Sequence, residues 1–439
     1  YNFALHVRIK LNTNKKLNTF TLSGLIIGPI LGSGVILLPP LIYNMIGNYS
    51  LLVWLAILVL GFSFALIFGK LAILFPGEAG VSLATKEAMG IKYQQLTAFY
   101  LILAVFFGPV AVLLIAGDFI QNYFPNTDLV FLALGIYVIT YALLLVKIDF
   151  LGKIMLVVSS TVAIIFFISS IYILAKTQSF SFVLPQIAVK ELGYSFLLIF
   201  WAIVGWEVIG NYSNDVKDTK TLKNAVVFSA VAVSLIYFLI ALAVCLADFP
   251  LKATESFRLV WLIEPVFGAY SNILIAIISL ILCIGTLILF VGGVSRLIFA
   301  LSQNKSNFIT KKTAKNMKNG TPIGALNTLS IIYMITLYLV YIDYLSLDNL
   351  VAFADGFFIS NALIGLVTAI ILFEKSFLRY SAVVLAFIFT LILLFSNIYI
   401  LSVILILFIY TYFKPLHVMK KNANVTYVTD KKNYKEYNS

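Results

Sequence analysis

Two carboxylates stand inside strongly apolar stretches: Glu207 in Phe200-Trp201-Ala202-Ile203-Val204-Gly205-Trp206-Glu207, and Asp355 in Ala352-Phe353-Ala354-Asp355-Gly356-Phe357. No lysine or arginine lies at comparable depth to pair with them. A carboxyl buried without a counter-charge resists ionisation. Each is therefore a candidate to carry a proton, to ligate an ammonium or alkali cation, or to sit protonated as a hydrogen bond between helices. Asp355 lies nearer a helix end, where water could reach it.

A second kind of chemistry is offered by backbone. The segment Ser23-Gly24-Leu25-Ile26-Ile27-Gly28-Pro29-Ile30-Leu31-Gly32-Ser33-Gly34-Val35 is hard to continue as one helix. Pro29 removes an internal hydrogen bond, and Gly32 and Gly34 carry the helix penalty of glycine. The pattern predicts unwinding at Gly32-Ser33-Gly34. Gly24, Gly28 and Gly32 also recur at the four-residue spacing that lets membrane helices pack closely, and both readings can hold together. A further interruption is expected near Gly205 and Glu207. Freed N–H groups at the start of a half-helix suit a carboxylate, and freed carbonyls at the end of another suit an amine or a cation, so a zwitterionic amino acid fits both.

These groups need elements that hold them in lipid. With 439 residues, 62% hydrophobic and 11% charged, and a mean hydropathy of +1.04, the chain is too apolar for a soluble protein. A span needs about 20 apolar residues. Twelve such stretches are read at 22–46, 50–75, 93–121, 128–146, 152–175, 192–214, 224–247, 269–302, 324–342, 348–373, 379–396 and 398–414. They are too long and too uniformly apolar for barrel strands, so the expected fold is an all-α integral membrane protein. The first stretch is read as a retained span, not a removable signal peptide. Residues 1–18 and 415–439 flank a transmembrane domain at 19–414, and the lysines of the tail are read as a solvated topogenic end able to touch anionic lipid.

The formal charge of +12 is one-sided: assigning loops to alternate sides puts 26 of the 30 Lys and Arg with the N-terminus, leaving Lys176, Lys190, Lys252 and Arg258 opposite. The positive-inside rule then places both termini in the cytoplasm and argues against nucleic acid as a partner. Cys245 and Cys283 lie in separate spans, and His6 and His417 lie outside the membrane, so no metal, haem, disulfide or other cofactor is expected.

Interruptions in the first and sixth spans are the pattern of two inverted five-helix halves, spans 1–5 and 6–10, with two extra C-terminal helices and substrate bound between the halves. The motifs in order strengthen this. Gly32-Ser33-Gly34-Val35-Ile36-Leu37-Leu38-Pro39, Phe75-Pro76-Gly77-Glu78-Ala79-Gly80 followed by Glu87-Ala88-Met89-Gly90, the sixth-span segment with Asn214-Asp215-Val216-Lys217-Asp218, Ser295-Arg296-Leu297-Ile298-Phe299-Ala300-Leu301, and Gly320-Thr321-Pro322 all fit one family. The chain resembles the amino acid–polyamine–organocation (APC) superfamily over nearly its whole length, and Pro76-x-x-Ala79-Gly80-Val81, the Gly108-Pro109 break and Asp348-Asn349-Leu350 with Asp355-Gly356 look most similar to the bacterial branch that exports methionine and branched-chain amino acids. Two departures stand out: Val81 follows Gly80 where many members have a second glycine, and Asp218-Thr219 replaces Asn-Pro. Some importers of the superfamily carry a lysine in the fifth span, where this chain has Ser159, Ser160 and Thr161.

The resemblance implies a multi-pass transporter of the bacterial inner membrane, without enzymatic activity, moving a small neutral amino acid by alternating access, as an exporter or exchanger. The expected substrate site comprises Ile30, Gly32, Ser33, Gly34, Val35, Trp201, Ala202 and Gly205, with N–H groups of Ser33, Gly34 and Val35 on the carboxylate and carbonyls near Ile30, Trp201 and Ala202 on the amine. Glu207, Asp355, Trp206 and Phe107 are the gating or proton-coupling candidates. A proton- or sodium-coupled importer is the alternative, with Thr286 helping to form a cation site beside first-span carbonyls. An intramembrane enzyme is a remote alternative, since it needs a clustered catalytic set and this chain has no histidine in a span. A channel would rely on rings of like residues, and nothing in the sequence repeats that way.

Overall fold

The computed structural model describes residues 16–121, 123–177, 185–246, 259–303 and 308–413. Most of the N-terminal segment with His6, the loop with Lys252 and Arg258, and the tail with His417 lie outside the described residues.

The first span, α1 (Thr19–Ile46), starts where the Asn18 side chain accepts the Thr21 N–H at 2.9 Å and the Thr21 hydroxyl answers the Asn18 N–H, a reciprocal cap that satisfies two end donors. It is followed by α2 (Tyr49–Leu74), the short α3 (Val81–Met89), α4 (Ile91–Gln121), α5 (Leu129–Leu144) and α6 (Ile148–Lys176). The sixth span is α7 (Val189–Ile199), continued by a 3₁₀ turn, Phe200–Ile203, an irregular stretch and a second 3₁₀ segment, Ile209–Asp215. Then come α8 (Thr219–Leu246), the short α9 (Val260–Phe267), α10 (Ser271–Ser302), the brief α11 (Phe308–Thr313), α12 (Ile323–Tyr341), α13 (Leu347–Leu372), α14 (Phe377–Leu393) and α15 (Ile398–Phe413).

Eight of these stretches are long and apolar enough to cross a membrane unaided, and α5, α14 and α15 are shorter apolar helices. With the broken sixth span they reproduce the twelve stretches read from the sequence. The short helices were not legible there, and they expose the repeat. α3 lies between the second and third spans and α9 between the seventh and eighth, each closed by a glycine at positive φ, Gly90 (88°) and Gly268 (53°). Each half thus runs broken span, long span, short helix, long span, then two more spans. An odd number of crossings per half inverts the second relative to the first.

At the centre, α1 packs against α6, α8 and α10, and α4 lies along α13. Gly24 and Gly28 let α6 approach α1: an added Cβ would collide with the Leu156 backbone or the Ser159 hydroxyl. Gly32 does a different job, with φ 42° and ψ −149°, a backbone that only glycine adopts cheaply. The glycine stripe therefore both packs and breaks. Large side chains such as Phe131, Val138, Val157 and Phe387 face outward, as a lipid-facing surface requires.

A candidate substrate cavity between two broken spans

The break at Gly32 concerns the carbonyls of Pro29, Ile30 and Leu31, which in a continuous helix would accept from Ser33, Gly34 and Val35. All three receive hydroxyl donors. Thr286 on α10 donates to Pro29 O at 3.0 Å, and Tyr237 on α8 donates to Ile30 O at 3.2 Å and Leu31 O at 3.0 Å. Tyr237 is itself stacked on Trp54, ring centroids 4.9 Å apart, so the donor is held by packing. Ser159 on α6, where some importers have a lysine nearby, donates to Gly24 O at 3.0 Å.

The sixth span comes apart at Val204, which is extended (ψ 138°), and Gly205, at φ 124°. Glu207 turns back on this irregular stretch, its Oε2 accepting the Gly205 N–H at 3.0 Å while Oε1 is buried without a partner among the described residues. Trp201 ties the two broken spans together by donating its Nε1–H to the Ser33 hydroxyl at 3.2 Å.

A third interruption completes the site. Pro109 deprives the Val105 carbonyl of its helical donor, and the Tyr333 hydroxyl on α12 supplies one at 2.9 Å. Gly108 and Pro109 then face the breaks in α1 and the sixth span across a small cavity. Its polar side is Ser33, Gly34, Thr286 and the backbone around Gly32. Its carbon side is Gly108, Val112, Leu287, Phe290 and Phe358, and among the described residues no charged side chain lines it. The Phe290 and Phe358 rings meet edge to face, centroids 5.2 Å apart.

Of the residues expected from sequence, Ile30, Gly32, Ser33, Gly34, Trp201 and Thr286 line this cavity together. Val35 and Ala202 are buried beside it, and Val204 lines it in place of Gly205. Phe107 stacks on Phe353 at 5.2 Å, next to Gly108, and Trp206 is buried. Glu207 and Asp355 are both buried but are not on the cavity wall. The expectation that water could reach Asp355 is corrected: it is 2% exposed, because α4, α14 and α15 all pack on α13. Tyr237, Tyr333, Phe290 and Phe358 went unnoticed in the sequence, where nothing separates them from the rest of its 24 Tyr and 37 Phe.

On the face carrying the N-terminus, the end of the sixth span is clamped from three sides. Arg296 on α10 pairs with Asp215 (3.0 Å), lies 4.6 Å over the Tyr212 ring and donates to Gly292 O at 2.9 Å. Leu17 donates its N–H to Asp215 O at 2.9 Å and accepts from the Lys217 N–H at 3.1 Å, while the Gly77 N–H donates to the Ser213 hydroxyl at 2.7 Å. Glu78, in the loop before α3, feels this charge: burial pushes its carboxyl up from the ordinary range, and Arg296 pulls it partly back. Both partners of the ion pair sit inside motifs noted in the sequence, but their pairing across the fold was not legible.

Two broken spans meeting at a cavity, in an inverted five-plus-five bundle, define a membrane transporter of the broken-helix class. The amino acid permease family model matches residues 17–429, and the chain belongs to that family. It is 22% identical over 344 residues, covering 76% of this chain and 81% of the relative, to the L-methionine/branched-chain amino acid exporter YjeH of Escherichia coli (strain K12). In fold it is similar to the Eremococcus coleocola manganese transporter. One mutant form gives a TM-score of 0.60 at 11% identity, covering 90% of this chain and 94% of that one. A complex of the transporter with an aromatic bis-isothiourea substituted compound gives 0.59 at 12%, with the same coverage. The family and the curated relative are transporters, not enzymes.

Proposed function

We propose that this protein moves small neutral amino acids, of the methionine or branched-chain type, across the bacterial inner membrane by alternating access, in net efflux or exchange. The observation that carries the reading is the cavity: polar backbone and hydroxyls on one side, carbon on the other, and among the described residues no charged side chain in its wall. A zwitterion with a neutral side chain is the solute that such a division suits, because its two charges need dipoles and its side chain needs none. The substrate carboxylate meets the N–H groups of Ser33, Gly34 and Val35. The amine meets carbonyls near Ile30, Trp201 and Ala202. The Ile30 carbonyl already accepts Tyr237 but keeps a second lone pair. Glu207, bonded to the Gly205 N–H, is the proton-sensitive gate that couples the sixth-span break to the substrate, with Trp206, Phe107 and Asp355 in the moving surfaces around it. The likeness to a methionine and branched-chain exporter supports both the substrate class and the direction. The clustering of lysine and arginine supports cytoplasmic termini.

The test is counterflow in proteoliposomes loaded with unlabelled methionine, leucine, arginine or glutamate, with trace label outside. Saturable exchange of methionine and leucine, lost in Ser33→Pro, is expected. Exchange of none of the four overturns the reading. A second reading, a proton- or sodium-coupled importer, draws on Thr286, whose hydroxyl already reaches Pro29 O beside the break. Leucine uptake that rises with a sodium gradient would favour it.

A further inference from the structure

Glycine inside a membrane helix normally has one of two reasons, a backbone angle closed to other residues or a neighbouring helix too near for a side chain. Gly108 has neither. Its backbone is helical, with no positive φ. A Cβ there would find its nearest neighbours at ordinary van der Waals distance, 3.4 Å from Ala354 Cβ, 3.5 Å from Phe358 Cε2 and 3.8 Å from Trp201 Cη2. Among the described residues it is the buried helical glycine of which this is true. At Gly24, Gly356 and Gly365 an added Cβ would collide with Leu156, Ile400 and Phe68. What the missing side chain of Gly108 leaves open is space between Trp201 and Phe358, and both of these line the cavity with Gly108 itself.

Trp201 spans the site. Its Nε1 end is fixed on Ser33, on the polar side, and its Cη2 corner faces Gly108, on the carbon side. Beyond Gly108 the carbon side is closed by the Phe358–Phe290 pair. A substrate held by its carboxylate at Ser33 and Gly34 and by its amine at the carbonyls near Ile30 would lay its side chain along the indole toward Gly108.

We propose that Gly108 is the specificity-determining residue for side-chain size: its bare Cα makes the recess that takes the branch of leucine or the thioether of methionine, and any side chain there restricts the carrier to smaller amino acids. This rests on the reading of the cavity as an amino acid site. A methyl more or less in a hydrophobic pocket changes discrimination by about 10–200-fold. Gly108→Ala is therefore expected to lower the ratio of kcat/KM for leucine over alanine by about 10-fold or more.

The full chain in proteoliposomes, assayed by counterflow with labelled leucine, methionine, alanine and phenylalanine, tests this. A leucine-to-alanine ratio within twofold of wild type in Gly108→Ala overturns the proposal while leaving the amino acid reading intact. Should Gly108→Ala not yield folded protein, the tolerance argued from the van der Waals distances is wrong, and the recess is then tested from its other wall. Phe358→Leu is expected to raise phenylalanine relative to leucine by about 10-fold; an unchanged ratio overturns the proposal. Wild-type protein that exchanges no amino acid overturns both the recess and the reading beneath it.

Discussion

Removing the charge at Asp215 tests whether the clamp on the basic face is a gate. The Arg296–Asp215 pair is neither a surface contact nor a fully buried one, with side chains 13% and 29% exposed and an N–O distance of 3.0 Å. Exposed pairs contribute about 0–1 kcal/mol, and breaking a buried pair costs about 3–5 kcal/mol. The intermediate burial, and the neutral hydrogen bond that asparagine can still accept, put Asp215→Asn at about 1–2 kcal/mol, a factor of about 5–30 in the closed-to-open equilibrium. The Leu17 and Gly77–Ser213 backbone ties are untouched, so closed remains the majority form. The assay is the reaction rate of an impermeant maleimide, added from the basic face, with a cysteine replacing Val204 on the cavity wall in a chain lacking Cys245 and Cys283. The rate should rise about 5–30-fold in Asp215→Asn. An unchanged rate would refute the gate, and an equal rise from the opposite face would show general loosening instead.

Two further predictions concern the groups that hold the breaks and sense the gate. Tyr237→Phe keeps the stacking on Trp54 but takes a donor from the Ile30 and Leu31 carbonyls; at about 1–3 kcal/mol per unsatisfied buried group, it should lower the thermal midpoint in detergent and raise the counterflow KM. Unchanged values of both would mean that the α1 break does not depend on that hydroxyl. For Glu78, burial raises the carboxyl above the ordinary value of 4.5, so its contribution to the closed face is fully present below that value and lost as pH rises through the raised one. Acidification should therefore slow maleimide access from the basic face, normalised to a surface cysteine, and Glu78→Gln should flatten that dependence. An identical pH profile in the Gln variant would remove Glu78 from the gate.

The breaks were legible in the sequence because they are made by residues whose backbone preferences act locally. Gly32 adopts a φ other residues avoid, and Pro29, Pro109 and Gly205 mark interruptions without reference to any partner. What resolves each interruption was not legible. Tyr237, Thr286 and Tyr333 come from spans 7, 8 and 9, and their hydroxyls matter only because the fold brings them to orphaned carbonyls. Thr286 was singled out as a cation-site candidate beside first-span carbonyls; Tyr237 and Tyr333 were lost among many tyrosines. Asp355 was misjudged for the related reason that depth along one helix says nothing of the helices packed around it. The same distinction explains why Gly108 read only as part of a helix break. Its neighbour Pro109 makes the break, and the role proposed for the glycine rests on Trp201 and Phe358, from two other spans, which leave its side open to the cavity. In this fold local sequence decides where backbone is released, and packing decides whether that released backbone and the space beside it are filled by the protein or kept for a solute.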